Sequence, residues 1–287
     1  MSNDVITLFD PWKNKLCTCP PKVVLSPYVG CAHACAYCYI TSYIPKAFLA
    51  RSKKDFVQRL ERSLERRVPN QPIEMAASSD VYQPLEAELG LTRTTLKLLA
   101  KYGCRVQILT KSDLVLRDRD ILTQGRFSVG MSVTTVEDSI AANLEPNAPS
   151  PSKRMSALRR LTSAGIPTFA RIDPIIPWIN DSGLEKLVAE LGSAGVRHVT
   201  CSTFKARWDS LHRVVSCFPG SGQAITTAYR EGKALGRTMY LPKGLRLALM
   251  SIAKKSIKGK GMTFATCREG LEQMNSGATC DGTHLIP

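Results

Sequence analysis

The 287-residue chain lacks any continuous apolar run of about 18 residues or more, so no membrane-spanning helix is expected. Its start, Met1-Ser2-Asn3-Asp4, has no basic region followed by an apolar stretch, which argues against a secretory signal and for a cytoplasmic protein. No internal repeat or low-complexity tract occurs, which excludes solenoid and array architectures. Acidic residues are comparatively scarce. Against 39 Lys and Arg there are 24 Asp and Glu, a formal net charge of +15. Such a surplus favours polyanionic partners through phosphate contacts and counterion release, although a basic surface with no nucleic-acid role has the same charge.

Cysteine, by contrast, is plentiful, at ten residues. In a reducing cytosol such a count points to metal binding rather than disulfides. With 44% hydrophobic and 22% charged residues, the composition suits one large domain, or one domain with small extensions.

Short β-branched runs alternate with amphipathic helical stretches. Strands are expected at 23–25, 72–77, 105–110, 127–133, 168–172 and 198–202. Helices are expected near 53–67, 92–102, 117–122, 152–164 and 183–194, the last two closed by Gly165 and Gly195. Alternation of this kind implies a parallel sheet with helices outside, and about six units predict an open, partial β/α barrel. The division expected is an N-terminal extension (1–20), the barrel (21–205) and a basic extension (206–287). That extension reads as largely helical, with a short strand near 262–265 and a loop-like tail.

The run Gly30-Cys31-Ala32-His33-Ala34-Cys35-Ala36-Tyr37-Cys38-Tyr39 directly follows the first strand and has the spacing C-x-x-x-C-x-x-C. Three thiolates in one tight loop can ligate three irons of a cubane and leave the fourth without a protein ligand. A structural zinc site would require four closed ligands, commonly in two knuckles, and no second knuckle follows at finger-like distance. His33 either completes a zinc site or is a spacer near the cluster sulfurs.

At these residues the chain resembles the radical S-adenosylmethionine superfamily, whose signature is this triad with an aromatic, here Tyr37, before its last member. The surroundings are similar to the branch related to spore photoproduct lyase. They include Ser26-Pro27-Tyr28-Val29-Gly30-Cys31, Ser78-Ser79-Asp80-Val81-Tyr82-Gln83-Pro84, Leu109-Thr110-Lys111-Ser112, Glu145-Pro146, Pro174-Ile175-Ile176-Pro177 and Asn180-Asp181. The likeness covers about residues 20–205, with an echo at 264–270.

The resemblance implies an enzyme with a 4Fe-4S cluster held by Cys31, Cys35 and Cys38. The amino and carboxylate groups of S-adenosylmethionine would chelate the open iron. One electron, from a donor such as a ferredoxin or flavodoxin, would break the sulfonium C–S bond, and the 5′-deoxyadenosyl radical would abstract hydrogen from a substrate. Ser78, Ser79 and Asp80 are then expected around the methionine amine, Ser79 matching a cofactor-contacting serine of the lyase; the alternative is an Asx-type turn. Ser132 and Thr134 suit the ribose hydroxyls, Arg171 the carboxylate, and Tyr37 and the segment 174–177 the adenine. Lys111 is either part of this pocket or a solvated strand-end lysine. One departure matters: where the lyase has its hydrogen-donating cysteine, before the matching serines, this chain has Ala77. Repair of thymine photoproducts is therefore not expected.

Cys17 and Cys19 precede the first strand, and Cys267 and Cys280 lie in the tail. Chain ends often meet in a compact domain, so these four could hold an auxiliary iron–sulfur cluster or a zinc ion, or be unrelated reduced thiols. Cys104, Cys201 and Cys217 read as small core residues, with Cys201, at a strand end, an alternative hydrogen donor. Three functions follow: a radical enzyme acting on a tRNA or DNA base, one acting on a peptide, protein or metabolite with the help of an auxiliary cluster, or a non-catalytic metal-stabilised binding module. The last leaves the open triad unexplained.

Overall fold

The computed structural model describes residues 5–9, 14–75 and 78–287. Ala77 lies outside the described residues.

Seven strands run parallel in one sheet: β1 (Val23–Leu25), β2 (Ile73–Met75), β3 (Arg105–Thr110), β4 (Arg126–Ser132), β5 (Thr168–Ile175), β6 (His198–Thr203) and β7 (Thr263–Thr266), ordered as in the chain. A two-residue strand, Thr7–Leu8, adds antiparallel to β1. Since β1 and β7 do not pair, the sheet is an open barrel, as the strand–helix alternation predicts. The strand expected near 262–265 is thus a seventh barrel strand, contributed from beyond the C-terminal helices.

Helices α1 (Phe56–Arg66), α2 (Leu91–Lys101), α3 (Pro151–Ser163) and α4 (Leu184–Ser193) connect successive strands. Their apolar stripes explain their placement. In α4 the buried set is Leu184, Leu187, Val188 and Leu191, a helical period that lays one face on the sheet. Gly195, just beyond α4, has φ +78°, and a Cβ there would meet Thr162 Cγ2 at 2.5 Å, so only glycine closes that turn.

Between β6 and β7 come α5 (Trp208–Cys217), α6 (Pro219–Arg230) and α7 (Lys243–Gly259). A β-hairpin, Lys233–Leu235 with Thr238–Tyr240, interrupts this segment, which sequence reads as largely helical. Its strands are three residues each, too short for alternation to register, and its turn carries Gly236 at positive φ.

Strand alternation sorts the sheet residues. Ile73, Met75, Val106, Ile108, Phe127 and Val129 pack outward with Phe56, Leu60, Leu96 and Leu99 of the helices. The intervening Glu74, Gln107 and Ser128 are buried on the inner side. There the tail fills the barrel interior. Gln107 donates to the carbonyl of Asp281 at 3.0 Å, Thr200 donates to that of Cys280 at 2.7 Å, and Lys22 pairs with Asp281 at 2.7 Å. Among the described residues no helix is long and apolar enough to cross a membrane.

Candidate functional site

A cavity opens where the C-terminal ends of the strands meet the loops that follow them, the usual position of ligand sites in parallel barrels. Cys31, Cys35 and Cys38 line it together with Tyr37, Ser78, Ser79, Asp80, Ser132, Arg171 and Pro174. Of Tyr37, Ser78, Ser79, Asp80, Ser132, Thr134 and Arg171, expected from sequence around the cofactor, all but Thr134 thus converge on one space.

The cysteine loop is fixed from three directions. Gly30, at φ +76°, starts it, and a Cβ there would lie 2.4 Å from the Leu49 carbonyl oxygen. The backbone of Gly30 therefore passes where no side chain fits, and Cys31 N–H then donates to the carbonyl of Ala47 at 2.8 Å. From the segment after β2, Ser79 Oγ donates to the Gly30 carbonyl at 2.5 Å, while Gln83 donates to Gly30 O at 3.2 Å and to Ser79 Oγ at 3.0 Å and accepts from Ala32 N–H at 2.9 Å. From the segment after β4, Asn147 donates to the Ala32 carbonyl at 2.9 Å, and Ala36 N–H donates to the carbonyl of Leu144 at 2.8 Å. From α5, Arg213 donates to the carbonyls of Ala36 at 2.9 Å and Cys38 at 2.6 Å. Ala34, within the loop, holds φ +51° without being glycine, a conformation that only surrounding contacts sustain.

Burial dominates the electrostatics of the thiols. It pushes the Cys31 thiol up to about 11, with nearby Asp80 acting in the same direction. Cys35 and Cys38 are raised too, chiefly by burial, against the pull of Lys111. Three thiols in one buried loop form a soft donor set, and a metal that bound there would displace their protons. The donor set therefore fits a 4Fe-4S cluster with Cys31, Cys35 and Cys38 as its three protein ligands.

Around the loop, carboxylates are committed to the protein. Asp80 accepts from Tyr82 N–H at 2.9 Å, Thr110 Oγ1 at 2.7 Å and Lys111 N–H at 2.7 Å, and its Oδ2 lies 3.2 Å from His33 Nε2. The Tyr82 bond closes the Asx-type turn weighed in the sequence. Burial alone would raise the Asp80 carboxyl, but His33, Thr110 and Lys111 N–H overcome it and hold it at about 2. His33 therefore joins the loop to the segment after β2 and, through its Nδ1, lies 3.1 Å from the Asn147 carbonyl oxygen, so it is neither a zinc ligand nor a mere spacer. Tyr37 donates to buried Glu145, which also pairs with buried Arg154. Lys111 is not a solvated strand-end lysine: it lines the cavity, with Nζ 5.6 Å from the Tyr37 ring centre. Burial opposes its charge, but Cys35 and Glu145 outweigh it and raise its pKa.

Two expected residues stand elsewhere. Thr134 lies two positions past the end of β4, does not line the cavity and donates to Glu145 at 3.3 Å. Cys201 is fully buried on the helix-facing side of β6, in the apolar layer with Ile172, Val199 and Phe264, and does not line the cavity. Its neighbours Thr200 and Ser202 take the opposite face, so strand alternation separates this thiol from the site. Of the segment 174–177 only Pro174 reaches the cavity, while Ile175 and Ile176 are core. Residues missed by sequence are Gln83, Asn147, Arg213 and Glu145 as supports, and Lys205, Arg207 and Arg268, which line the cavity with Arg171 and Lys111. Arg171 pairs with Asp173 at 2.9 Å.

Known proteins agree with this geometry. An uncharacterised protein of Methanocaldococcus jannaschii is 36% identical over 174 residues, covering 59% of this chain and 65% of the relative, just under two thirds of its length. The radical SAM Nalpha-GlyT isomerase of Pseudomonas phage M6 is 22% identical over 260 residues, 86% of this chain and 54% of that protein. A spore photoproduct lyase variant shares the fold with a TM-score of 0.67 at 16% identity, covering 84% of this chain and 75% of the lyase. Streptococcus suis SuiB bound to S-adenosylmethionine does so with a TM-score of 0.57 at 12% identity, covering 89% and 52%. The Radical SAM superfamily profile matches residues 25–202, and with its triad on the loop after β1 the chain belongs to the radical SAM superfamily of enzymes that use a 4Fe-4S cluster and S-adenosylmethionine.

Proposed function

We propose that this enzyme directs radical chemistry at a base of a nucleic acid, in tRNA or DNA. The carrying observation is a second cavity that shares Arg207 with the first and is lined by Trp208, Arg230 and Arg237. Trp208 is 73% exposed, unusual for so large an apolar ring. An exposed indole among guanidinium groups offers a stacking surface and phosphate contacts together. A spore photoproduct lyase structure holds a dinucleoside photoproduct on this fold, and the chain's net charge is +15.

When bound, the cluster supplies the electron that cleaves S-adenosylmethionine to a 5′-deoxyadenosyl radical. The chain's residues do the rest. Cys31, Cys35 and Cys38 would hold the cluster and would leave one iron without a protein ligand, for the amino acid moiety. Arg171 and Lys111 offer positive charge to its carboxylate, Arg171 having donors left beside the one given to Asp173. Asp80 keeps its charge with its oxygens committed, so it would act on the amino group through space, with Ser78 beside it. Ser132 would face the ribose, and Tyr37 and Pro174 the adenine; all three line the same cavity.

A second reading, modification of a peptide, protein or metabolite, draws on the four-thiol group described below. The two separate on one measurement: binding of RNA and single-stranded DNA to the anaerobic, cluster-loaded protein between about 50 and 200 mM salt. A steep fall in affinity supports the base, and salt-insensitive or absent binding supports the second reading. In the same preparation Cys35→Ala is expected to abolish cluster absorbance and 5′-deoxyadenosine release with dithionite; retained cleavage rejects the ligand assignment.

A further inference from the structure

The sheet leaves a seam between β1 and β7, and chain segments from both ends cross it. Asn14 donates to the Tyr240 hydroxyl at 3.2 Å, and Leu16 sits against Gly270. Cys267, one residue past β7, donates its N–H to the carbonyl of Cys201 on β6 at 2.9 Å. The tail then enters the barrel and brings Cys280 to Cys19, sulfur to sulfur at 3.5 Å, across 261 residues of sequence. Cys17 is in hydrogen-bonding contact with the Cys19 side chain and within electrostatic range of Cys267. None of the four forms a disulfide.

We propose that Cys17, Cys19, Cys267 and Cys280 hold a second iron–sulfur cluster that staples the seam of the open barrel. Four thiols gathered from two chain ends form a soft, all-sulfur donor set, with Asp281 beside Cys280 committed to Lys22 and Thr283. A chain that already takes up iron and sulfide for the triad meets what a second cluster requires, which favours iron–sulfur over zinc at the same thiolate donors. Cationic neighbours match the negative charge that four thiolates bring. Lys22 is buried within electrostatic range of Cys19, Arg171 within range of Cys19 and Cys267, and Arg268 adjoins Cys267. Since Arg171 and Arg268 also line the cavity, the second centre borders the space in which substrate would sit. The proposal does not rest on the nucleic-acid reading.

The test removes the first cluster. A full-length variant with Cys31, Cys35 and Cys38 all changed to Ala, reconstituted anaerobically, is expected to retain about four irons per chain with a cubane Mössbauer signature, and to lose them when Cys267→Ser and Cys280→Ser are added. Should the triad variant not fold, the intact protein decides: about eight irons per chain, falling to about four in the Cys267→Ser/Cys280→Ser variant. An intact protein with only about four irons, one equivalent of zinc surviving in the triad variant, or a Cys19–Cys280 disulfide in peptide maps of the loaded protein each overturns the proposal. Iron content reads this centre with the cofactor-cleaving site absent, so its failure is distinct from failure of the enzymatic reading.

Discussion

Arg213 on α5 donates to the carbonyl of Cys38 at 2.6 Å, tying a helix from the C-terminal part of the chain to the last residue of the triad. The same guanidinium holds the Ala36 carbonyl and Thr41, and Asp209 orients it at 2.8 Å. Bonds from a charged donor to backbone carbonyls are worth more than neutral ones, although Arg213 is partly solvated. Arg213→Ala is expected to cost about 2 kcal/mol, a fall in Tm of about 3 °C. It should also speed loss of iron during gel filtration. Arg213→Lys should restore little, because one ammonium cannot span the two carbonyls. Unchanged iron retention in both variants would show that the loop holds without α5.

Ser79 and Gln83 both donate to the Gly30 carbonyl, so Ser79 spends its hydroxyl hydrogen on the loop rather than on a ligand. Ser79→Ala is expected to weaken cluster retention, at about 1 kcal/mol, while leaving the KM for S-adenosylmethionine within about threefold. Gln83→Ala should cost more, about 2 kcal/mol, because it strands the Ala32 N–H and removes one of the two donors to the Gly30 carbonyl. A tenfold rise in KM for Ser79→Ala with full iron content would instead place that hydroxyl on the cofactor.

The barrel and the triad were legible because their signals are local: Cys31, Cys35 and Cys38 lie within eight residues of one another, and strand–helix alternation has a short period. Parity decided the errors. Cys201 sits at a strand end as expected, but one position decides which face a strand residue takes, and the inward row is Ser132, Arg171 and Thr200, set side by side by the registers of β4 with β5 and β5 with β6. Thr134 lies past β4, where alternation no longer predicts direction. The supports were illegible for a different reason. Arg213 and Cys38 are 175 residues apart, and Asn147 and Ala32 115, and neither arginine nor asparagine carries a mark of its distant partner. Lys111 looks like any strand-end lysine until Tyr37, Cys35 and Glu145 are seen around it.

His198 gives the fold an acid limit. Its ring is buried on the inner side of β6, 2.8 Å from Thr263 Oγ1 and edge-on to His284 at 5.1 Å. Burial first, then the neighbouring His284, lower its pKa from 6.5 to about 4. The folded state thus refuses a proton that the unfolded chain accepts below about pH 6.5. Stability is full above that pH and falls as pH drops toward 4, by about 3 kcal/mol at most from this residue. His198→Gln, which keeps polar contacts without titrating, is expected to lack this component. Denaturant unfolding of both proteins between pH 7 and 4 measures the difference, and parallel curves would reject the assignment.

Trp208 and Arg237 line one cavity but should act on a nucleic acid in different ways. A stacked indole contributes about 1–3 kcal/mol per base and releases no counterion, so Trp208→Ala should weaken binding of a single-stranded oligonucleotide roughly 5- to 150-fold with its salt slope unchanged. An arginine on a phosphate contributes through ion release, so Arg237→Ala should reduce the slope of log affinity against log salt by about one. Neither residue touches the cysteine loop in the described contacts, and both variants should keep full iron content and release 5′-deoxyadenosine at the parental rate in the absence of substrate. Fluorescence anisotropy across a salt series separates the two effects. If both substitutions leave affinity and slope untouched, the surface beside Arg207 is not where a nucleic acid lies, and the peptide or metabolite reading takes its place.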